Sequence, residues 1–472
     1  MRVLVVEDQE EWVEAIARVA EKLQPQPVLT FAGSRDAARA QVDESFFDLI
    51  VLDLKIPTSD GALDEDPTHG LATFTYARER APGTPILVLT GSQAEDFIPH
   101  LLGQAQQVDI WGSNQPAGIV SFIKKLNVAD LPAALEAIGR EVAALSNVEV
   151  HSPDYGLPLS YDRLIRAFAR RFDGARCEVS TLGGLSGAQV LRLWITNAHG
   201  GRPIAVVAKL GSISAIRVEN AHFENRISLL TGAATPRKLD MREFGAKDCA
   251  GIFYQLAEGF DFTAFAASEW NNDAAAAVPA HLRRLTVPWS TAVPETQKTI
   301  GEVRERILWP DDFNKVVEAN GLDWVNVFEA RTAQTVWCVV HGDLHGENAL
   351  VSADGTPVLI DYGDVGPGPR SLDPISLEFS LLFHPKSPLV NGLWPSDAQA
   401  RRWFDLEAYL QDCPVPEFVR AARQWAIDAA AGRRELAATA YAYFIRQLKF
   451  STTDGQRALA LLEGCRALYD TT

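Results

Sequence analysis

The sequence predicts two folds in series: an α/β domain with a doubly wound five-stranded parallel sheet, then an α+β body of two lobes. Three observations predict it. Near the amino terminus, short apolar runs alternate with helical patterns in βαβα order. From Tyr161 onward, glycine-punctuated strands come first and long Ala-, Leu- and Arg-rich helices follow. Between these regions, residues 146–160 carry Pro153, Gly156 and Pro158 and lack periodicity, which reads as a linker. With 472 residues and 47% hydrophobic content, the chain has material for about three compact units.

The first domain spans residues 1–145. Val3 to Val6 reads as a strand, and the helix after it sets Trp12, Ile16, Val19 and Leu23 on one face. Val28 to Phe31, a second helix and Leu49 to Leu52 continue the alternation, with Ile86 to Leu89 and Val120 to Ile123 as later strands. Uniformly apolar strands in this order make a parallel sheet covered on both faces, with functional groups beyond the carboxyl ends of its strands. Glu7 and Asp8, Asp53, Thr90 and Lys125 all fall there. Clustered carboxylates repel one another unless a divalent cation sits among them, and added phosphate would attract a hydroxyl and an ammonium.

The runs Val-Val-Glu7-Asp8, Val51-Leu-Asp53-Leu-Lys-Ile-Pro57, Leu89-Thr90-Gly-Ser92 and Phe122-Ile-Lys-Lys125-Leu resemble the receiver domain of two-component response regulators. The resemblance implies that Glu7, Asp8 and Asp53 bind Mg2+ and that Asp53 is the phosphoacceptor. Thr90 and Lys125 would be the switch residues, with Lys124 as an alternative to Lys125. It also implies an upstream histidine kinase or phosphotransfer protein, and a homodimer as one assembly of the phosphorylated form. Two departures stand out: an acidic insertion from Pro57 to His69, and a long segment between Thr90 and Lys125.

In the second body, residues 161–259 read as a smaller lobe and 260–472 as a larger one. Thr181-Leu-Gly-Gly-Leu-Ser-Gly187 precedes the alternating strand Val190 to Ile195, and glycines at such a turn let backbone N–H groups approach phosphate oxygens. Ile204-Ala-Val-Val-Ala-Lys209 is an apolar strand ending in a lysine. The helix after it offers Glu219 and Glu224 as partners for that lysine, of which Glu224 is preferred by its distance along the chain. Cys249 to Ala257 reads as the last strand before a hinge at Glu258-Gly259.

The strongest signal is His341-Gly-Asp-Leu-His-Gly-Glu-Asn348, followed by Val358-Leu-Ile360 and Asp361-Tyr-Gly363. It spaces a base, an amide and a second carboxylate as phosphoryl transfer requires: Asp343 to take the hydroxyl proton, Asn348 and Asp361 to hold the magnesium that bridges nucleotide phosphates. With Gly183-Gly-Leu-Ser, Leu359-Ile-Asp-Tyr-Gly-Asp364 and Arg370-Ser-Leu-Asp373, the segment from Gly183 to about Glu378 resembles the aminoglycoside and choline kinase-like phosphotransferases. The resemblance implies a protein-kinase-like fold, ATP or GTP as donor with Mg2+, and an alcohol group as acceptor. Gly183, Gly184, Ser186, Gly187, Lys209 and Glu224 would bind nucleotide. Asp373 would be structural, and His341 a scaffold residue. Gly342 stands where protein kinases usually carry Arg, and no Ala-Pro-Glu follows Asp361-Tyr-Gly363.

Lys and Arg total 44 against 61 Asp and Glu, a formal charge of −17, which disfavours binding to nucleic acid or an anionic membrane. Arg163, Arg166, Arg170 and Arg171 read as a solvated helix face. Five scattered cysteines indicate neither a zinc site nor a disulfide framework. Glu7 and Asp8 stand where a signal peptide needs its apolar core, so the cytoplasm is the expected location. Asp311, Asp312, Glu318 and Glu329 are irregularly spaced and do not form an acidic surface of the kind that binds aminoglycosides. The whole reads as a receiver controlling a phosphotransferase with an unidentified hydroxyl acceptor or partner protein. A non-catalytic nucleotide-binding scaffold and a nucleotidyl transferase are the alternatives.

Overall fold

The computed structural model describes residues 1–91, 106–182, 188–291 and 293–471, apart from the side chains of Thr90 and Asn272. The chain divides into two compact units, Met1–Arg217 with Lys238–Leu256, and Val218–Arg237 with Ala257–Thr472.

In the first unit, β1 (Arg2–Val6), β2 (Val28–Ala32), β3 (Leu49–Asp53), β4 (Ile86–Thr90), the short pair β5 (Gln107–Val108) and β6 (Ala117–Gly118), and β7 (Val120–Lys124) follow in order. Five of them form a parallel sheet in the order β2-β1-β3-β4-β7. All five residues of β3 are buried, because its neighbours cover both edges and helices cover both faces. The pleat divides the apolar residues: Leu4, Val6, Leu52 and Val88 enter one core, and Val3, Val5, Val51 and Leu89 the other. The predicted insertion is an ordered loop. Asp64 accepts from Thr58 N and Oγ1 at 3.1 and 2.7 Å, and Asp66 caps the helix Pro67–Arg80.

A second, six-stranded sheet lies in the same unit, built from β8 (Glu149–His151), β9 (Gly174–Thr181), β10 (Gln189–Asn197), β11 (Ile204–Ser212), β12 (Lys238–Arg242) and β13 (Cys249–Gln255). Its order is β12-β13-β11-β10-β9-β8. The stretch read as a linker therefore contributes a strand, since β8 pairs in parallel with β9. The helix Leu159–Arg171 packs on this sheet, with Phe168 stacked on Phe253 at 4.0 Å between centroids.

The arginines of that helix correct their reading as a solvated face. Arg163 donates to both oxygens of Asp48 at 3.0 and 3.3 Å, and Arg170 pairs with Glu141 at 2.8 Å. Arg166 pairs with Asp162 at 2.7 Å and donates to Val148 O, and Arg171 reaches Asp240 at 3.1 Å. Backbone bonds join the two sheets' loops as well: Gly83 N donates to Lys247 O, and Gly245 N to Gly83 O, both at 2.7 Å. Gly112 has φ +71°, and a Cβ there would lie 1.9 Å from Ala167 O, so only glycine allows this approach. Periodicity assigned these arginines to a helix surface correctly, but the helix is covered on two sides. Asp48 and Gly83 precede β3 and β4, so this contact uses the amino ends of the strands. Asp53 lies at the other end of β3, about 17 Å away at the usual rise per residue.

The second unit is mostly helical. All twelve residues of the helix Leu372–Phe383 are buried. The helices Pro416–Ala429 and Arg433–Gln447 pack on it, and Gly455–Asp470 packs on the latter. Arg423 and Glu378 form an ion pair in which each side chain is 1% exposed. Two small sheets complete the unit: β14 (Phe262–Thr263) with β17 (Ala349–Val351) and β18 (Pro357–Leu359), and β15 (Glu295–Thr299) with β16 (Thr332–Val340) and β19 (Gly366–Pro369).

Candidate functional site

Parallel strands deliver their carboxyl ends to one edge, and the first unit has its acids there. Glu7 follows β1 and Asp53 ends β3, and the two strands are paired with Val6 opposite Leu52. One ligand oxygen from each of Glu7, Asp8 and Asp53 lies within 4.8 Å of the others. Glu7 and Asp53 are 2% and 3% exposed. Burial, and then the Asp53 charge, pushes the Glu7 carboxyl up to about 7. Burial also raises the pKa of Asp53 and of Asp8. Asp8 Oδ1 is buried without a hydrogen-bond partner. Three raised carboxyls, one with an orphaned oxygen, suit a hard divalent cation, for which oxygen ligands are the preferred donors.

Lys125 Nζ lies 2.8 Å from Glu7 Oε2 and 3.0 Å from Asp53 Oδ2. Burial opposes the ammonium, yet the two carboxylates outweigh it and raise its pKa. Lys125, the first residue after β7, is thus the lysine on Asp53, while Lys124 ends β7 with its side chain exposed. Thr90 ends β4 opposite Lys124, and its side chain lies outside what the structure describes. Sequence reasoning did not single out Trp12 as a pocket residue, yet its ring lies 5.0 Å from Lys125 Nζ.

Gly183, Gly184, Ser186 and Gly187 lie outside the described residues. Lys209 lies on β11, opposite Val190 on β10 and Ile252 on β13. On the helix Ile213–Asn225, Glu219 is buried and Glu224 is exposed, so the buried carboxylate of the two is not the one preferred from spacing.

In the second unit, a hairpin builds the site. Pairing of β17 and β18 sets Ala349 opposite Leu359, and Ile360 N donates to Asn348 O at 3.0 Å. Asn348, just before one strand, and Asp361, just after the other, therefore sit at the same open end. Asp361 has φ +62°, a left-handed conformation uncommon for a residue other than glycine and frequent at functional turns. Asn348 Nδ2 donates to Asp343 O at 2.9 Å, which fixes the amide and leaves its oxygen available as a ligand.

The loop carrying Asp343 is held from behind. Asp373, 2% exposed, accepts from His341 N at 2.8 Å and Gly342 N at 2.9 Å. The His341 ring, fully buried, bonds Ile360 O through Nε2 at 3.0 Å. Both residues hold backbone. Gly342 has φ +83°, and a Cβ there would lie 2.5 Å from Arg306 Nη2 and from Asp364 O. Gly346 leaves room for the Phe265 ring, which a Cβ would meet at 2.3 Å.

Asp343 has two neighbours that sequence reasoning missed. Arg446 Nη1 lies 3.2 Å from Oδ1, and His345 Nε2 lies 3.6 Å from Oδ2. The His345 ring lies 4.4 Å from that of His384. Burial lowers the pKa of both, that of His384 to about 4 with His345 contributing, so both are neutral at neutral pH. Arg446 is about a hundred residues from Asp343 and carries no motif, so nothing in the sequence marked it.

The response regulator receiver domain family matches residues 3–110, and the phosphotransferase enzyme family (APH) matches residues 265–394. No curated protein matches the chain. Among solved structures, a CheY-like receiver domain protein from Methanospirillum hungatei is 20% identical with a TM-score of 0.23, covering 30% of this chain and 96% of its own. A receiver domain of a sensor histidine kinase from Pseudomonas aeruginosa, with magnesium in its active-site cleft, is 19% identical with a TM-score of 0.21, covering 29% and 97%. A thermostable mutant of the aminoglycoside phosphotransferase APH(4)-Ia, in ternary complex with ADP and hygromycin B, is 14% identical with a TM-score of 0.35, covering 62% and 93%. At these scores the structural likeness carries no argument about chemistry.

Proposed function

The chain joins a response regulator receiver domain to a phosphotransferase-family domain of kinase-like fold, and from that premise we propose a phosphotransferase under the control of Asp53. A histidine kinase or phosphotransfer protein would load Asp53, with Glu7 and Asp8 holding Mg2+ and Lys125 and Thr90 reading the new charge. The kinase-like domain would transfer phosphate from ATP or GTP to a hydroxyl. The observation that carries this reading is the hairpin end that gathers Asn348 and Asp361 beside the loop of Asp343.

Within that site, Asp343 would orient the acceptor hydroxyl and take its proton, and Asn348 and Asp361 would hold Mg2+. Bound there, the ion supplies charge neutralisation to the nucleotide phosphates. Asp373 and His341 keep the Asp343 loop in place through backbone bonds, so they act by positioning. Lys209, with Glu219 or Glu224, is the proposed nucleotide contact from the smaller lobe, together with Gly183, Gly184, Ser186 and Gly187. A scaffold reading draws on the Arg446 ion pair, which engages the carboxylate that would have to act.

The test is Mg2+-dependent ADP release and label transfer by the full chain, with and without acetyl phosphate as donor to Asp53. Turnover should fall at least about a hundredfold in Asp343→Asn, the scale of a lost general base. It should lose its response to acetyl phosphate in Asp53→Asn. Equal turnover in the wild type and Asp343→Asn would overturn the reading.

A further inference from the structure

The Asp343 carboxylate carries an arginine, and this restricts the acceptor. Arg446, on the helix Arg433–Gln447, is a quarter exposed and donates through Nη1 to Asp343 Oδ1 at 3.2 Å. A guanidinium has five N–H donors. Among the described residues, the hydrogen bonds of Arg446 end with that one. Lys449, one turn further along the chain, is by contrast engaged by Asp312 at 2.7 Å.

Two more arginines converge behind the same loop. Arg306 Nη2 donates to Asp364 O and packs against Gly342, the residue before Asp343. Its Nε is buried without a partner. Arg226 donates through Nη1 to Val365 O. Measured from a Cβ placed on Gly366, Arg306 Nη2 lies at 3.4 Å and Arg226 Nη1 at 3.7 Å. Burial lowers the pKa of Arg306; Asp364 and Asp373 oppose this, and Arg226 and Arg446 add to it by less. His345 and His384 bring no negative charge, and Glu347 is already paired with Lys386 at 2.8 Å. A half-used guanidinium beside a reaction centre is a recognition element for an anion, since arginine's planar fork matches a phosphate or carboxylate in two hydrogen bonds.

We propose that the acceptor carries an anionic group, a phosphate or a carboxylate, close to its reacting hydroxyl, and that Arg446 is the residue that binds it. This rests on the phosphotransferase reading. The acceptor's anion takes the donors of Arg446, and its hydroxyl takes the Asp343 oxygen that Arg446 releases. The hydroxyl oxygen then forms its bond to the γ-phosphorus, the bond to the β,γ-bridging oxygen breaks with its electron pair leaving on the diphosphate, and the hydroxyl proton passes to Asp343. A neutral alcohol leaves Arg446 on Asp343.

The experiment titrates inorganic phosphate into the full chain by calorimetry, saturated either with Mg2+ and ADP or with Mg2+ and the non-hydrolysable AMP-PNP. Phosphate should bind in both states, about tenfold or more weakly in Arg446→Ala, as loss of a charge-assisted pair implies. It should bind several-fold more tightly in Asp343→Asn, where the competing carboxylate is gone. Arg446→Lys, which keeps the charge without the fork, should fall between wild type and Arg446→Ala. Equal binding by wild type and Arg446→Ala, or no binding by either, overturns the proposal. So does binding in the ADP state that disappears with AMP-PNP, because the arginines would then hold the phosphate in transfer. If neither nucleotide binds but Arg446→Ala still weakens phosphate in the nucleotide-free chain, the phosphotransferase reading fails and the anion site stands.

Discussion

Replacing Asp48 with Ala tests whether the receiver and the six-stranded sheet fold as one body. The Asp48 side chain is 3% exposed and accepts three hydrogen bonds, from Arg2 N at 2.7 Å and from Arg163 Nε and Nη2 at 3.0 and 3.3 Å. Alanine would strand the Arg2 backbone donor and a guanidinium that is 13% exposed. Removing one partner of a buried pair costs about 3–5 kcal/mol, because the other charge keeps its desolvation penalty. Asparagine keeps an acceptor oxygen and should cost about 1.5–3 kcal/mol. Against a usual domain stability of about 5–15 kcal/mol, the alanine change is a large fraction. In urea unfolding of the full chain followed by intrinsic fluorescence, the midpoint of the transition involving Met1–Arg217 should fall by about 1–2 M at an m-value of about 2–3 kcal/mol/M. Arg163→Ala should give a similar drop, and the double variant much less than the sum. A midpoint shift under about 0.3 M for Asp48→Ala, or additive single effects, would show that the contact contributes little and refute the reasoning.

Glu378→Ala leaves the buried Arg423 guanidinium unpaired beneath Phe379, Trp403 and Tyr409, and should lower stability by about 3–5 kcal/mol in chemical denaturation. Gly346→Ala puts a methyl into the Phe265 ring and should cost about 1–3 kcal/mol, with phosphotransfer falling more than the melting temperature alone accounts for. His384 takes up its proton near pH 4 when folded and near 6.5 when unfolded, so its contribution is complete above pH 6.5 and is lost as pH falls toward 4. The slope of stability between pH 6.5 and 4 should therefore be shallower in His384→Gln, as measured by urea midpoints across that window.

Where local pattern and local geometry coincide, the sequence was enough. β1, β3 and β4 are short apolar runs, and a parallel sheet necessarily brings Glu7, Asp8 and Asp53 to one edge, so the acid pocket was legible from strand ends alone. The choice between Lys124 and Lys125 was not, because it depends on where β7 stops and the backbone turns. Asn348 and Asp361 were legible because a hairpin closes them over a short turn. Arg446 was hidden for the opposite reason: it reaches Asp343 across 103 residues of sequence, and only the packing of the helix Arg433–Gln447 brings it there. The arginines of the helix Leu159–Arg171 show a related limit. Their spacing is that of a solvated face, and the partner that covers Arg163, Asp48, lies 115 residues away. The motif around Gly183 falls outside the described residues, so its part stays an expectation.

The strand β8 also decides where the chain can be cut. It lies between the helix Leu131–Leu145 and the helix Leu159–Arg171 and covers the outer edge of β9 through pairs from Glu149 with Arg176 to His151 with Glu178. A fragment beginning at Tyr161, the boundary that composition suggests, would uncover the N–H and C=O groups of β9 along that edge. Bare edges of this kind recruit strands from other molecules. The kinase-like half, expressed by itself, is therefore expected to associate or precipitate unless it starts before Glu149. By the same logic, the segment that looks most dispensable for joining the two domains is also the one expected to shield the second of them from edge-to-edge association.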